Sequence, residues 1–340
     1  VLLIVERIAF LRHRRHVDPS THIKVRDAPF CTFLRVAVGT YTTLGTACAL
    51  NQTKRPTIKI GVSGASGHLG KTVIAELLQR GGGHEVFAIS RTPEGAPDGV
   101  QQRPGNYDQP DGLPDAYAGP DRLLLIPSAD LEPGKRAVQL VAAIDAARKS
   151  SVPHIVLMSA AGTKRADDAE LGSGYWKGEQ HLIAKAPMWT ILRMSYYAEA
   201  LADEARASLG SGVLTGLAEN RVSFVSRDDV AATAAGILLS EGHDGAIYHA
   251  TGEQRLSGAE RAALIADIIG RPLTFLVLPE EQLHSGLSQA GLPQAVVNAV
   301  IDIQKSFIRG AFDIVTGDVE RLSGRPPKAL RQVLAALLLS

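Results

Sequence analysis

From Thr57 onward the chain alternates short, wholly apolar runs with longer stretches whose apolar residues recur at helical spacing. The run IKIGV (58–62) leads into glycines and then into Leu69, Val73, Ile74, Leu77 and Leu78, which predict one buried helical face. Three glycines at 81–83 stop that helix, and EVFAIS (85–90) reads as the next strand. The alternation continues with the strand RLLLIPS (122–128) and a helix over GKRAVQLVAAIDAARKS (134–150), with Val138, Val141 and Ile144 inward. Next come the strand HIVLMSA (154–160), the helix YWKGEQHLIAKA (175–186) and the strand WTILR (189–193). Runs that are apolar throughout predict strands covered on both faces, so the fold class is α/β: a Rossmann-type, doubly wound parallel sheet. The Gly-, Pro- and Asp-rich stretch 102–121 predicts mostly loop.

Beyond about Ser195 the regularity loosens. RDDVAATAAGILLS (227–240) and SGAERAALIADIIG (257–270) predict helices, the second opened by a Ser257/Glu260 capping box and closed by Gly270. GAIYHAT (245–251) and LTFLVL (273–278) predict strands, followed by a helical tail through IDIQKSFIRG (301–310). The pattern divides the chain into a nucleotide-binding domain over 57–210 and a smaller C-terminal α/β substrate lobe over 211–340. Residues 1–56 show neither period. They carry nine Lys/Arg against three Asp/Glu, and are expected to be a basic, poorly ordered extension, with a targeting segment as the alternative.

Composition narrows the chemistry. Hydrophobic residues make up 45% and charged residues 21% of the 340, which suits a soluble chain with a substantial core. The formal net charge of +1 provides no global field for nucleic acid or an anionic membrane, so neither is expected as a partner. No apolar run approaches the roughly 20 residues that span a bilayer. Both cysteines, Cys31 and Cys48, precede Thr57, so the body has no thiol for nucleophilic catalysis, disulfides or metal ligation. This points to a reducing compartment, the cytoplasm. His154 and His181 lie on different elements without ligand spacing, and no metal site is expected.

The sharpest signal is Gly64, Gly67 and Gly70, spaced GxxGxxG between a strand and a helix. Glycines there permit a tight turn, close approach of backbone to a pyrophosphate, and close packing of helix on strand. The helix start then offers free N–H groups and the positive dipole end, to which Ser66 can add a hydroxyl. At the end of the second strand stands Ser90-Arg91 rather than an acid. An arginine at that place accommodates the 2′-phosphate of NADP, so NADP(H) is expected over NAD(H).

These motifs, with LLLIPS, HIVLMSAAG, WTILR followed by Tyr196-Tyr197-Ala198-Glu199, and FVSRDDVA, make the chain resemble the NmrA-like atypical short-chain dehydrogenases. Within them it is most similar to bacterial NAD(P)H:quinone oxidoreductases and triphenylmethane-dye reductases. The resemblance implies that Gly64, Ser66, Gly67, His68, Leu69 and Gly70 line the pyrophosphate, that Arg91 meets the 2′-phosphate and that Asn106 lies near the adenine. Ser128 and Ser159 would flank the nicotinamide ribose and ring. Ser159 and Tyr175 match the catalytic Ser and Tyr of ordinary members, but the lysine position four residues after the tyrosine holds Glu179. An anion there disfavours a tyrosinate, so Tyr-Lys alcohol oxidation is not expected. The implied activity is hydride transfer from NADPH to a quinone, dye or similar small electrophile, with Tyr175, Ser159 and Glu179 as the catalytic candidates. The alternative is an NADP(H)-binding regulator without turnover. Tyr196 and Tyr197 either stack on a flat acceptor or pack beneath the second lobe. The oligomeric state stays open, a homodimer among the options.

Overall fold

The computed structural model describes residues 57–92, 94–165 and 170–340, so the expectation for residues 1–56 lies outside the described residues. Seven strands form one parallel sheet: β1 (Lys59–Ser63), β2 (Glu85–Ser90), β3 (Val100–Pro104), β4 (Arg122–Leu125), β5 (His154–Ala160), β6 (Met188–Met194) and β10 (Ala246–Ala250). Their spatial order is β10-β6-β5-β4-β1-β2-β3, so the winding reverses at β1. Ser63, the last residue of β1, pairs with Ile89 on one side and Leu125 on the other. The crevice opening just beyond that reversal is where a doubly wound sheet receives its ligand.

Alternation along each strand splits the core between two faces, because successive side chains point to opposite sides of a sheet. Ile60, Val62, Leu124, Val156 and Met158 face α1 (His68–Arg80) and α6 (Arg227–Leu239). Leu123, Leu125, Ile155 and Leu157 face α3 (Lys135–Lys149) and α4 (Leu171–Lys185). In α3 the buried stripe is Ala137, Leu140, Ala143, Ile144 and Ala147, and Val138 is 69% exposed rather than inward. A residue one step off a helical stripe is rotated by about 100°, which also leaves Leu78 outside the face formed by Leu69, Val73, Ile74 and Leu77.

Two expectations change. β3 begins within two residues of the stretch read as loop, and it escaped notice because it is a largely exposed edge strand with polar residues. That stretch also contains the short helix α2 (Leu113–Ala116), whose Leu113, Ala116 and following Tyr117 are buried. The boundary at residue 210 does not hold either. α6 lies against α1 and β10 completes the far edge of the seven-stranded sheet, although both follow residue 210. The smaller lobe is discontinuous in sequence. It takes β7 (Tyr196–Tyr197) and α5 (Ala198–Ser208) from one side of that boundary. From the other come β8 (Val213–Gly216), β9 (Val222–Val225), β11 (Arg255–Leu256), α7 (Gly258–Ile269), β12 (Thr274–Val277), α8 (Glu280–Gln289) and α9 (Gln294–Ile308). The α7 capping box forms as expected, with Gly270 in the left-handed conformation beyond its end.

The last helices, α10 (Asp318–Ser323) and α11 (Leu330–Leu338), return over the body. Asp228 and Asp229 do more there than complement a helix dipole. Wholly buried Asp229 accepts from Arg325 Nη1 at 2.9 Å and from the Lys328 N–H at 2.8 Å, and Asp228 pairs with Lys328 Nζ at 2.5 Å. No helix among the described residues is long and apolar enough to cross a membrane.

His154, the first residue of β5, is structural. Thr190 Oγ1 donates to the His243 carbonyl at 2.6 Å, so at 2.8 Å from His154 Nε2 it can only accept. The bond therefore places a proton on Nε2, and it is burial that disfavours a second proton on the ring. Burial, and then the Arg122 charge, push His154 from 6.5 to about 4. The unfolded chain takes up that proton first on acidification, so this contribution is complete above pH 6.5 and lost on the way down to about pH 4. The full shift corresponds to about 3 kcal/mol. Urea unfolding of wild type and His154→Gln at pH 7, 5 and 4 checks this. The variant is expected to lose less stability across that window, and parallel pH profiles would contradict it.

Candidate functional site

The loop between β1 and α1 is held by its own backbone. Gly64 sits at φ +88°, where a side chain is strained, and the N–H groups of Gly64 and Ala65 both donate to the Ile89 carbonyl, at 2.9 and 3.1 Å. Gly70 lets α1 close onto this loop, since a Cβ there would stand 2.4 Å from Gly64 O and 2.8 Å from Ala65 Cα. Gly67 occupies the N-cap with no side-chain cap, and the first turn of α1 carries no acid. The helix start is thus left to a ligand, with N–H donors and a positive pole suited to phosphate.

A long cleft runs from this loop along the carboxyl ends of the strands. Gly64, Ser66, Gly67, His68, Leu69, Gly70, Arg91, Asn106 and Ser128 all line it. Arg91 is exposed at the end of β2. Asn106 Oδ1 accepts the Asp108 N–H at 3.0 Å, which turns its amide nitrogen the other way. Ser128 Oγ donates to Gln139 Oε1, and Gln139 Nε2 donates to Asp108 Oδ1 at 2.8 Å, so these three residues form one polar chain along the wall. Tyr107 donates to the Ile126 carbonyl at 2.9 Å, and burial pushes its phenol up to about 12.

The cleft also takes residues that the sequence did not mark: Met158, Met194, Arg136 and, from the start of α9, Ala295 and Val296. Arg136 is fixed by the carbonyls of Ser128 and Asp130, at 3.2 and 2.9 Å, and its guanidinium lies 4.8 Å from the centre of the Tyr175 ring. A methionine near a strand end and a helix arriving from beyond residue 290 have no local signature. For the two methionines the nearest available signal was their position at or near the ends of predicted strands.

The catalytic candidates separate. Tyr175 lines the cleft, and its hydroxyl forms no hydrogen bond with the described residues. Ser159 and Glu179 line neither the cleft nor the cavity beside it, and both are wholly buried. Arg193 on β6 grips the Glu179 carboxylate with two bonds, Nε to Oε1 at 2.9 Å and Nη2 to Oε2 at 2.6 Å. Ser159 Oγ donates to the same carboxylate at 2.6 Å. Glu179 is thus a compensated charge, because a guanidinium from the next strand neutralises it. Ser159 has likewise given its proton to Glu179. Thr163 Oγ1, 3.1 Å away, gives its own proton to the Ala160 carbonyl at 2.6 Å, and the Ser159 hydroxyl has no second proton for a substrate.

A smaller cavity opens beside the cleft, between α4, the end of β6 and α9. Tyr196 forms part of its wall and packs edge-to-face against Phe224, Phe307 and Phe312, with centroids 5.1–6.2 Å apart. Its hydroxyl donates to Glu204 Oε1 at 2.7 Å. Tyr197 donates to Met194 Sδ at 2.7 Å. Burial holds both phenols far above the ordinary tyrosine range, so neither supplies a base near neutrality. Tyr175, Met194 and Tyr197 line the cleft and the cavity alike, which makes them the seam between the two.

Comparison with known proteins agrees with this geometry. The family model described as NAD(P)H-binding matches residues 64–241, more than half of the chain. Quinone oxidoreductase 2 of Escherichia coli is 28% identical over 285 residues, covering 82% of this chain and 98% of that protein. Its crystal structure with NADPH superposes with a TM-score of 0.75 over 82% of this chain and 99% of that one. The NAD(P)H azoreductase of Xenophilus azovorans is 30% identical over 246 residues, covering 70% of this chain and 82% of the azoreductase. The triphenylmethane reductase of Citrobacter sp. in complex with NADP(H) is 26% identical, with a TM-score of 0.74 over 82% of this chain and 99% of that chain. The chain belongs to the NAD(P)H-binding family and is an oxidoreductase within it.

Proposed function

We propose that the protein binds NADPH in the long cleft and reduces a quinone, dye or similar flat electrophile held in the adjoining cavity. The observation that carries this reading is the seam. Because Tyr175, Met194 and Tyr197 belong to both spaces, a ring in the cavity abuts whatever occupies the inner end of the cleft. The loop fits a pyrophosphate on its own geometry: the positive φ of Gly64, the contact distance at Gly70 and the uncapped start of α1. NADPH, when bound, supplies the hydride. The protein contributes position, which for two well-oriented reactants is worth several orders of magnitude. It also excludes water with the Met158, Met194 and Val296 side chains.

Reduction of a quinone by hydride leaves an oxyanion that takes one proton. Tyr196 and Tyr197 have directed their protons to Glu204 and Met194, and Ser159 has directed its proton to Glu179. Among these hydroxyls Tyr175 alone keeps its proton for the cavity, with solvent as the other source. A quinone accepts hydride without strong acid assistance, so Tyr175→Phe is expected to lower kcat by less than about tenfold. A general acid that limits the rate contributes roughly 10²–10⁴-fold, and a loss of that size with NADPH binding intact would make Tyr175 the obligatory donor.

Arg91 supports a preference for NADPH over NADH. A guanidinium binds the 2′-phosphate through forked, charge-assisted bonds, whereas the 2′-hydroxyl of NADH has no acid at this strand end to receive it. Arg91→Ala is expected to weaken NADPH binding by roughly 10- to 150-fold and NADH binding little, following the ~1.5–3 kcal/mol of a charged hydrogen bond. Titration of both reduced cofactors measures this, and equal losses for the two would contradict it. The activity itself is tested by NADPH oxidation against a panel of quinones and dyes. Cofactor binding without consumption by any acceptor would favour the regulator instead.

A further inference from the structure

β8 and β12 form a sheet of two strands, and the outer edge of β12 pairs with no strand among the described residues. The Thr274 N–H donates to the Gly212 carbonyl at 3.0 Å and the Leu278 N–H to the Gly216 carbonyl at 2.8 Å, so the even-numbered residues turn their backbone toward β8. By alternation, Phe275 and Val277 present their N–H and C=O groups at the open edge. Native proteins commonly blunt such an edge with charged side chains, lysine above all. β12 reads TFLV instead, with Leu276 50% and Val277 46% exposed.

The ends of the strand point to what completes it. The segment RPLTFLVLPEE (271–281) opens on a base, closes on acids and is mostly apolar between them. Glu280 is engaged by Lys305 at 2.7 Å. Arg271, by contrast, reaches only the Leu209 carbonyl, at 3.5 Å, and neither it nor Glu281 forms an ion pair among the described residues. A second copy, related by a twofold axis through Leu276 perpendicular to the sheet, runs antiparallel to the first. Phe275 of each copy then opposes Val277 of the other, and since both offer outward backbone groups, four bonds join the strands. The same register sets Arg271 against Glu281 at both ends. Sliding the strands by two residues either way places Pro279, which has no N–H, opposite Phe275 or Arg271 and loses the charge pairing. We propose that β12 is a dimer surface, through which two copies of this chain join into one four-stranded sheet held in register by Arg271 and Glu281. The inference does not depend on the reductase reading.

The test is sedimentation velocity on the full chain across a concentration series. Wild type is expected to dimerise below about 100 µM. Leu276→Lys, which sets two like charges side by side on the axis, is expected to raise the dimer Kd by at least about 100-fold. Arg271→Glu and Glu281→Arg are each expected to raise it about tenfold, since both ion pairs turn repulsive. An equal mixture of these two proteins is expected to associate as a heterodimer with near wild-type affinity, because each basic end again meets an acidic one. A misfolded variant is not rescued in this way, so the mixture separates lost pairing from lost folding. A wild type that is monomeric at about 100 µM overturns the proposal. So does an unchanged dimer in Leu276→Lys, which would put the interface on another face. A mixture no tighter than the single variants overturns the pairing of Arg271 with Glu281.

Discussion

Arg193→Met is expected to lower the stability of the protein by about 3 kcal/mol, near the lower end for breaking a buried ion pair. Glu179 is wholly buried, and its two oxygens are held by Arg193 at 2.9 and 2.6 Å, with Ser159 as the remaining donor at 2.6 Å. Without the guanidinium, that charge stays inside the fold with a single hydroxyl for company, or is neutralised by taking up a proton at a cost. Arg193 keeps about a fifth of its side chain exposed, 21%, so water reaches the site and the upper end of the range is not expected. The urea midpoint of the variant measures the loss. Replacing both partners, Glu179→Leu with Arg193→Met, is expected to recover most of it, since an apolar pair leaves no charge to solvate. A single variant as stable as wild type would mean that water already solvates Glu179. A double variant no better than the single would assign the loss to packing.

The second large effect is at the glycine loop, where two neighbouring glycines are expected to fail differently. A Cβ at Gly70 meets backbone, Gly64 O at 2.4 Å and Ala65 Cα at 2.8 Å, with no flexible side chain to yield. Gly70→Ala is therefore expected to push α1 off the loop, cost about 1–3 kcal/mol of stability and weaken NADPH binding on the order of 100-fold. At Gly67 the added Cβ stands 3.4 Å from Gly64 O, an ordinary contact, so the fold tolerates a side chain there. Gly67→Val instead fills the space through which the pyrophosphate approaches the backbone. It is expected to abolish measurable NADPH binding with the thermal midpoint nearly unchanged. Calorimetric titration and thermal unfolding of the two variants separate the cases. Retained NADPH affinity in Gly67→Val would place the pyrophosphate elsewhere.

Much of the parallel sheet and the cofactor end of the site can be read from the sequence, for a local reason. A buried strand must be apolar throughout, a helix on its face must repeat its apolar residues at helical spacing, and a backbone that meets phosphate must be glycine. Each requirement falls on contiguous residues, as in IKIGV and the Gly64–Gly70 loop. Where the local pattern is ambiguous, structure and sequence pattern part. β3 is an edge strand with little apolar surface to hide, and Val138 differs from its buried neighbours only by its angle around α3.

The end of the cleft at the smaller cavity is not legible locally, because its parts are assembled from separate elements. Glu179 reads as an uncompensated anion until β6 brings Arg193 against it from 14 residues away. Ser159 reads as a candidate proton donor until its hydroxyl is found turned to that same carboxylate. Met158 and Met194 become cleft residues because they lie near the carboxyl ends of adjacent strands, and Asp302 reaches the cavity because α9 folds back over the sheet from beyond residue 290. Even the sheet is completed by β10, which the loosened periodicity after Ser195 had assigned to another lobe. Which segments can be strands, helices and phosphate loop is a local matter, since it depends on neighbours a few residues apart. Which side chains share a charge, a proton or a cavity depends on how the finished layers meet, and that is settled only when the sheet closes and the C-terminal helices cover its carboxyl edge.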